Sequence, residues 1–139
     1  MVIKWAMGIL HRDGRVLVGR LRKKNDLVRR LDWTFPFTAI QEDESPRLSI
    51  KRLFKSELGV DIVVGKHLFN FVPSENPKVE MLFYEVLHKG GFAIASRDYA
   101  EFGWVKPTQV VKFFTTSLSS EMMDYLRGLE KNGTGLIIQ

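Results

Sequence analysis

Between Ser45 and Gly59 the sequence spells out one complete helix, and its two ends constrain the fold more than any other feature. Ser45 can accept the free amides of a first turn, and Pro46 suits the first helical position, where its missing N–H costs nothing. Ile50, Leu53, Phe54 and Leu58 follow at i, i+3, i+4 and i+8 as one apolar stripe, and Gly59 supplies a stop. A helix with a single apolar stripe needs a surface to cover, and the flanking sequence offers strands. Ile3, Trp5, Met7 and Ile9 alternate within residues 2–10, Asp13-Gly14 provides a two-residue hairpin turn, and residues 15–22 return as the partner strand.

Leu31 to Phe37 predicts a further short strand, whose exit Pro36 places at an edge or turn because proline cannot donate into a ladder. Beyond the helix, segments at about 61–72, 79–88, 92–97 and 102–105 read as strands, with Gly90-Gly91 turning the chain between the second and third. A second helix is predicted from about Ser117 to Lys131, with Leu118, Met122, Leu126 and Leu129 on its buried face and Asn132-Gly133 as its stop. The terminal GTGLIIQ reads as a short extra strand or tail. The order β-β-β-α-β-β-β-β-α gives an α+β domain, a mixed central sheet with helices packed on it. No repeat or linker divides the chain, so residues 1–139 are read as a single domain.

Composition removes several function classes. Apolar residues make up 45% and charged residues 27%, the balance of a globular chain and not a disordered one. The apolar runs fall far short of the roughly 18 residues that suggest a membrane span. The absence of cysteine excludes disulfides, thiolate zinc sites and a cysteine nucleophile. Lys4 and Trp5 interrupt the first apolar stretch, so it does not read as a secretory signal, and a cytoplasmic protein is expected. A net charge of +5 favours anionic ligands. Arg20, Arg22, Lys23, Lys24, Arg29 and Arg30 fall within residues 20–30. Such a run is usually a solvated loop; aromatic and turn elements follow it directly here, and we read it as a phosphate-binding segment. His11, His67 and His88 show no ligand spacing, and no Ser-His-Asp arrangement, P-loop or dinucleotide glycine motif is present.

Residues 33–60, WTFPFTAIQEDESPRLSIKRLFKSELGV, resemble the Nudix hydrolase family. That family's box runs Gly, five residues, Glu, seven residues, Arg-Glu-U, one residue, Glu-Glu, one residue, Gly-U, where U is a bulky aliphatic. Anchored on Gly59, the box spans 38–60 and Glu44, Arg52, Glu57 and Val60 match it in type and spacing. Trp33, Phe35 and Pro36 resemble the aromatic lead-in before the box, and Glu101-Phe102-Gly103-Trp104-Val105 looks like a late strand of many members. The resemblance runs from about Ile3 to about Lys131 and implies an α/β/α sandwich around a mixed sheet. It also implies attack on nucleoside diphosphates linked to another moiety, with Mg²⁺ or Mn²⁺ held against the diphosphate by helical carboxylates.

The departures fall on the chemistry. Phe37 and Thr38 stand where glycines open the box, and Leu53 and Ser56 replace two of the three metal-holding carboxylates. Of those three only Glu57 remains, so the resemblance implies a weakened metal site of Glu57 and Glu101, with Glu57 and Glu44 as catalytic residues. Leu53 lies on the apolar stripe and reads as core. Arg52, without its usual neighbour, either pairs with Glu44 or Glu57 or faces a phosphate. The expectation is a degenerate member that binds a nucleotide or diphosphate-containing ligand with weak or no metal-dependent pyrophosphohydrolase activity. Its ligand would meet Arg20, Arg22, Lys23 and Arg52 on phosphate and Trp33 or Phe37 on a base, since arginine grips phosphate through paired hydrogen bonds. The alternatives are a divergent but active hydrolase, and nucleic-acid binding through the basic face with Trp and Phe as stacking surfaces. A homodimer through an edge strand is the plainest partner-binding reading.

Overall fold

A computed structural model describes residues 2–93, 96–116 and 118–138, from Lys131 onward by backbone alone. The chain begins with β1 (Ile3–Arg12) and β2 (Arg15–Leu21), joined by the expected tight turn. Asp13 and Gly14 there have φ of 51° and 75°, the left-handed pair that lets a two-residue hairpin follow the twist of its strands. The two strands pair only near the turn, at His11 with Val16 and Arg12 with Arg15, and then splay apart. The wedge between them is filled by β3 (Trp33–Thr34), which pairs with β2, and β4 (Phe37–Ala39), which pairs with β1. The single strand expected over 31–37 is therefore two short ones inside the sheet. Pro36 breaks the ladder between them, and its carbonyl still accepts from the Gly8 amide at 2.9 Å.

β1 also runs parallel to β6 (Val79–Gly90), in register from Ile3 with Val79 to His11 with Leu87, and β6 pairs antiparallel with β5 (Asp61–Phe71). On the other side β7 (Tyr99–Val105) pairs with β2. The strand expected over 92–97 is not found among the described residues, and residues 94 and 95 lie outside them. Gly91, at φ 80°, turns the chain where a Cβ would come within 2.7 Å of the Gly59 carbonyl oxygen, so backbone packs on backbone there.

Burial on both faces of β1 divides the core in two. Trp5, Met7 and Ile9 join Phe35, Phe83, Met122 and Leu126 on one face. Ala6 and Leu10 join Leu17, Ile50, Leu53, Phe54 and Val86 on the other. The second face is covered by α1 (Pro46–Arg52), where Ser45 Oγ accepts from the Leu48 amide at 3.2 Å. At Leu53 the helix widens into a π turn that runs to Glu57, closed by Leu58 N–H on the Leu53 carbonyl and by Gly59 at φ 70°. The first face is covered by a 3₁₀ turn (Pro107–Lys112) and α2 (Ser120–Ile138). Ser119 Oγ caps α2 by accepting from the Met122 amide at 3.1 Å, and Tyr125 donates from it to Glu85 on β6 at 2.7 Å. The helix starts three residues later than expected and runs through Asn132-Gly133 to Ile138, so GTGLII is helix and not a strand or tail. A glycine costs a helix only about 1 kcal/mol and ends it only when it turns left-handed. The result is an α+β fold, helices on both faces of a mixed sheet. No described helix is long and apolar enough to cross a membrane.

Candidate functional site

Three segments meet at one end of the sheet and enclose a cleft of about 450 Å³. They are residues 21–26 after β2, residues 37–39 of β4 with Glu57 from the π turn, and residues 97–99 entering β7. Arg22 binds two of them together. Its amide donates to the Asp98 carbonyl at 2.9 Å and its Nε to the Ser96 carbonyl at 2.7 Å. Tyr99 secures the third: its hydroxyl accepts from the Phe37 amide at 3.0 Å and donates to the Phe37 carbonyl at 3.4 Å. Burial in this wall holds the Tyr99 phenol well above its ordinary pKa, so it stays protonated. Arg22, Lys23, Lys24 and Arg97 supply positive charge to the cleft, and Asp26, Glu57 and Asp98 supply negative charge.

Glu57 is the one box carboxylate that faces the cleft. Burial raises its pKa, opposed by the Arg52 charge and helped by the charge of Asp98. Glu44 stands in the opposite state. Arg52 donates to it through Nε and Nη2, both at 2.8 Å, and Ser49 Oγ adds a bond of 2.6 Å. These bonds, Arg52 first and Ser49 second, hold the Glu44 carboxyl down at about 2. Arg52 also donates to Thr38 Oγ1 at 3.3 Å and to the Ala39 carbonyl at 3.2 Å, and its Nη1 lies 3.8 Å from Glu57. Of the two roles open to Arg52, the geometry is that of a pair: its donors are spent inside the protein. Glu44 and Arg52 form a clamp that ties the box loop to α1 and β4, beside the cleft and not lining it.

The remaining expected residues divide by sheet face. Arg22, Lys23 and Phe37 line the cleft. Arg20 and Trp33 do not. They sit opposite each other on β2 and β3, and a register shift after Arg20 separates them from the residues that turn into the cleft. Trp33 packs with the α2-side core and meets Phe113 edge to face at 5.6 Å. Phe37 stacks at 4.5 Å on Trp5 of the same core, so its ring is largely packing. Phe37 and Thr38 have ordinary negative φ, because β4 is strand here and needs no glycine. Glu101 is held by Arg20 at 2.7 Å. Its neighbours Phe102 and Trp104 pack on the α1 side, which turns Glu101 to the α2 face, away from Glu57. The three carboxylates Glu44, Glu57 and Glu101 are thus not brought together. Lys24 entered the sequence reading only as part of the basic run, and Arg97 and Asp98 not at all, since nothing in the sequence marks residues 97 and 98 as neighbours of residue 22.

A resident divalent cation does not fit these residues. Leu53 is fully buried in the α1-side core, Ser56 is exposed, and Glu44 already has a guanidinium. Among the described residues no three His, Cys, Asp or Glu side chains are grouped to hold a metal. Mg²⁺ needs hard oxygen ligands in near-octahedral array, and the cleft carboxylates Asp26, Glu57 and Asp98 are not grouped to offer one.

No protein-family model matches the chain, and no curated protein matches it. Solved structures do. A MutT protein from Methanosarcina mazei Go1 superposes at TM-score 0.72 with 19% identity over 94% of each chain. A Nudix hydrolase from Nitrosomonas europaea superposes at 0.74 with 9% identity, over 91% of this chain and 70% of that one. An ADP-ribose pyrophosphatase from Streptococcus suis superposes at 0.65 with 16% identity, over 95% and 92%. Identities this low speak for architecture alone, and on that ground the chain has the Nudix fold.

Proposed function

We propose that the cleft binds a nucleotide or another diphosphate-containing ligand, with weak or no metal-dependent pyrophosphohydrolase activity. The observation that carries the reading is the charge arrangement at the cleft. Four cationic side chains, Arg22, Lys23, Lys24 and Arg97, surround it, while two box carboxylates are replaced, Glu44 is already bound by Arg52, and Glu57 alone of the box faces the cleft. Phosphate oxygens would meet the lysines and the free Nη groups of Arg22, whose Nε is already spent on Ser96. One of the superposing structures is an ADP-ribose pyrophosphatase, which supports the choice of ligand class.

A second reading, a divergent hydrolase, is favoured by one observation: the Glu57 carboxyl faces the cleft with a raised proton affinity. A carboxylate so placed can accept a proton from water near a bound diphosphate. The test is a hydrolysis screen of nucleoside di- and triphosphates and diphosphate-linked nucleotides with Mg²⁺, with Mn²⁺ and with EDTA, beside a Glu57→Gln variant. Binding without turnover, weakened by Lys23→Ala with Lys24→Ala, is the expected result. Rapid turnover lost in Glu57→Gln would give the second reading precedence, and no binding of any compound would overturn both.

A further inference from the structure

The loop before β3 and the end of the 3₁₀ turn bring a second set of aromatic and cationic groups together, on the α2 face. Trp33 is half-buried and meets Phe113, which is 36% exposed, edge to face. Thr115 donates to the Arg30 carbonyl, which fixes the cationic loop against this pair. Arg29, Arg30 and Lys112 are all exposed, and among the described residues none of them has an ion-pair partner. The carboxylate of Glu101, in the same row as Trp33, is already neutralised by Arg20, and of the loop's two exposed carboxylates Asp26 lines the cleft, which leaves Asp32 beside Arg30. The balance of the patch is positive.

We propose that this surface binds single-stranded nucleic acid, with a base stacked against Phe113 and the exposed edge of Trp33 and phosphates held by Arg29, Arg30 and Lys112. Rings beside unpaired cations match the alternation of flat bases and charged phosphates along a strand. Every base has a face to stack, so such binding tolerates sequence. A duplex hides its base faces and offers only the phosphates. This surface shares no residue with the cleft and stands apart from the reading of the cleft.

Fluorescence anisotropy of a labelled oligo(dT) of about 12 nucleotides, titrated with the full chain at low salt, tests the proposal. Three cations on phosphates give an affinity that falls with a log–log salt slope of about −2. Phe113→Ala weakens binding about tenfold or more, and Arg30→Ala with Lys112→Ala flattens the salt slope. Lys23→Ala with Lys24→Ala, which removes two of the four cations of the cleft, leaves the affinity within about threefold, and a duplex of the same length binds at least about tenfold more weakly. Phe113 is exposed enough that its loss spares the core, and circular dichroism confirms that the variant is folded. Absence of binding, an unchanged affinity in Phe113→Ala, equal affinity for duplex, or loss of binding in the Lys23 and Lys24 variant would each overturn the proposal.

Discussion

Replacing Glu44 by Gln keeps the outline of the side chain and removes the charge that Arg52 grips. Two charge-assisted bonds of 2.8 Å and the Ser49 bond of 2.6 Å hold this carboxyl from its ordinary 4.5 down to about 2. That difference corresponds to at most about 3 kcal/mol of folding stability at neutral pH. The clamp stands at the protein's rim, where solvent screens part of it, and about 2 kcal/mol is the expected loss. For a domain of this size that lowers Tm by roughly 8 °C. The sign with pH follows from the depressed value. The stabilisation is fully present above the unfolded pKa of 4.5 and is lost as pH falls toward about 2. Urea unfolding of both proteins between pH 7 and pH 3 reads this directly. The wild type loses its advantage over Glu44→Gln as pH drops, and the two curves converge. Equal stability at pH 7, or a gap that stays constant with pH, would refute the reasoning and return Glu44 to a role in the cleft.

Burial raises the Glu57 pKa above its ordinary 4.5, so acidification from neutral pH begins to remove its negative charge from the cleft before an ordinary carboxylate loses its own. Affinity for a diphosphate ligand, measured by calorimetry, rises on that acidification in the wild type and changes less in Glu57→Gln. Restoring the two missing box carboxylates has unequal costs. Ser56→Glu, on an exposed position, shifts stability by less than about 0.5 kcal/mol, whereas Leu53→Glu places a charge in the core and costs more than about 3 kcal/mol in a denaturant melt. Gly8→Ala drives a methyl to within 2.5 Å of the buried Phe54 ring and destabilises by about 1–3 kcal/mol, read by the same melt.

Local signals carried the fold where residue chemistry leaves little choice. Ser45-Pro46 and Gly59 bounded the first helix because caps act within one turn, and Asp13-Gly14 located the hairpin because few residues tolerate its dihedrals. The π turn at 53–57 has no such mark: it follows from Leu53 and Phe54 seating in the core while Gly59 closes the turn. The side of the sheet on which Arg20 and Trp33 lie was hidden for a related reason. A single register shift after Arg20 decides whether a basic residue enters the cleft, and a bulge is set by the partner strand and not by the residue itself. Leu53 read correctly as core because apolar periodicity reports burial directly. Arg97 and Asp98 escaped notice because their place depends on a contact with residue 22, far away along the chain.

That contact has a consequence for folding. The Arg22 side chain reaches a carbonyl 74 residues away, and the strands behind it, β2 and β7, pair across still longer stretches of sequence. Closing so large a loop is slow relative to forming the hairpin or the first helix. The cleft is therefore assembled after the hairpin and the first helix, together with the other long-range pairings such as β1 with β6. A nascent chain that has not yet emerged beyond Tyr99 has the first helix and the Glu44–Arg52 clamp within reach but no pocket for a ligand. Ligand that binds only the completed pocket then stabilises the closed chain over every shorter or unzipped form, and acts as a sensor of finished folding.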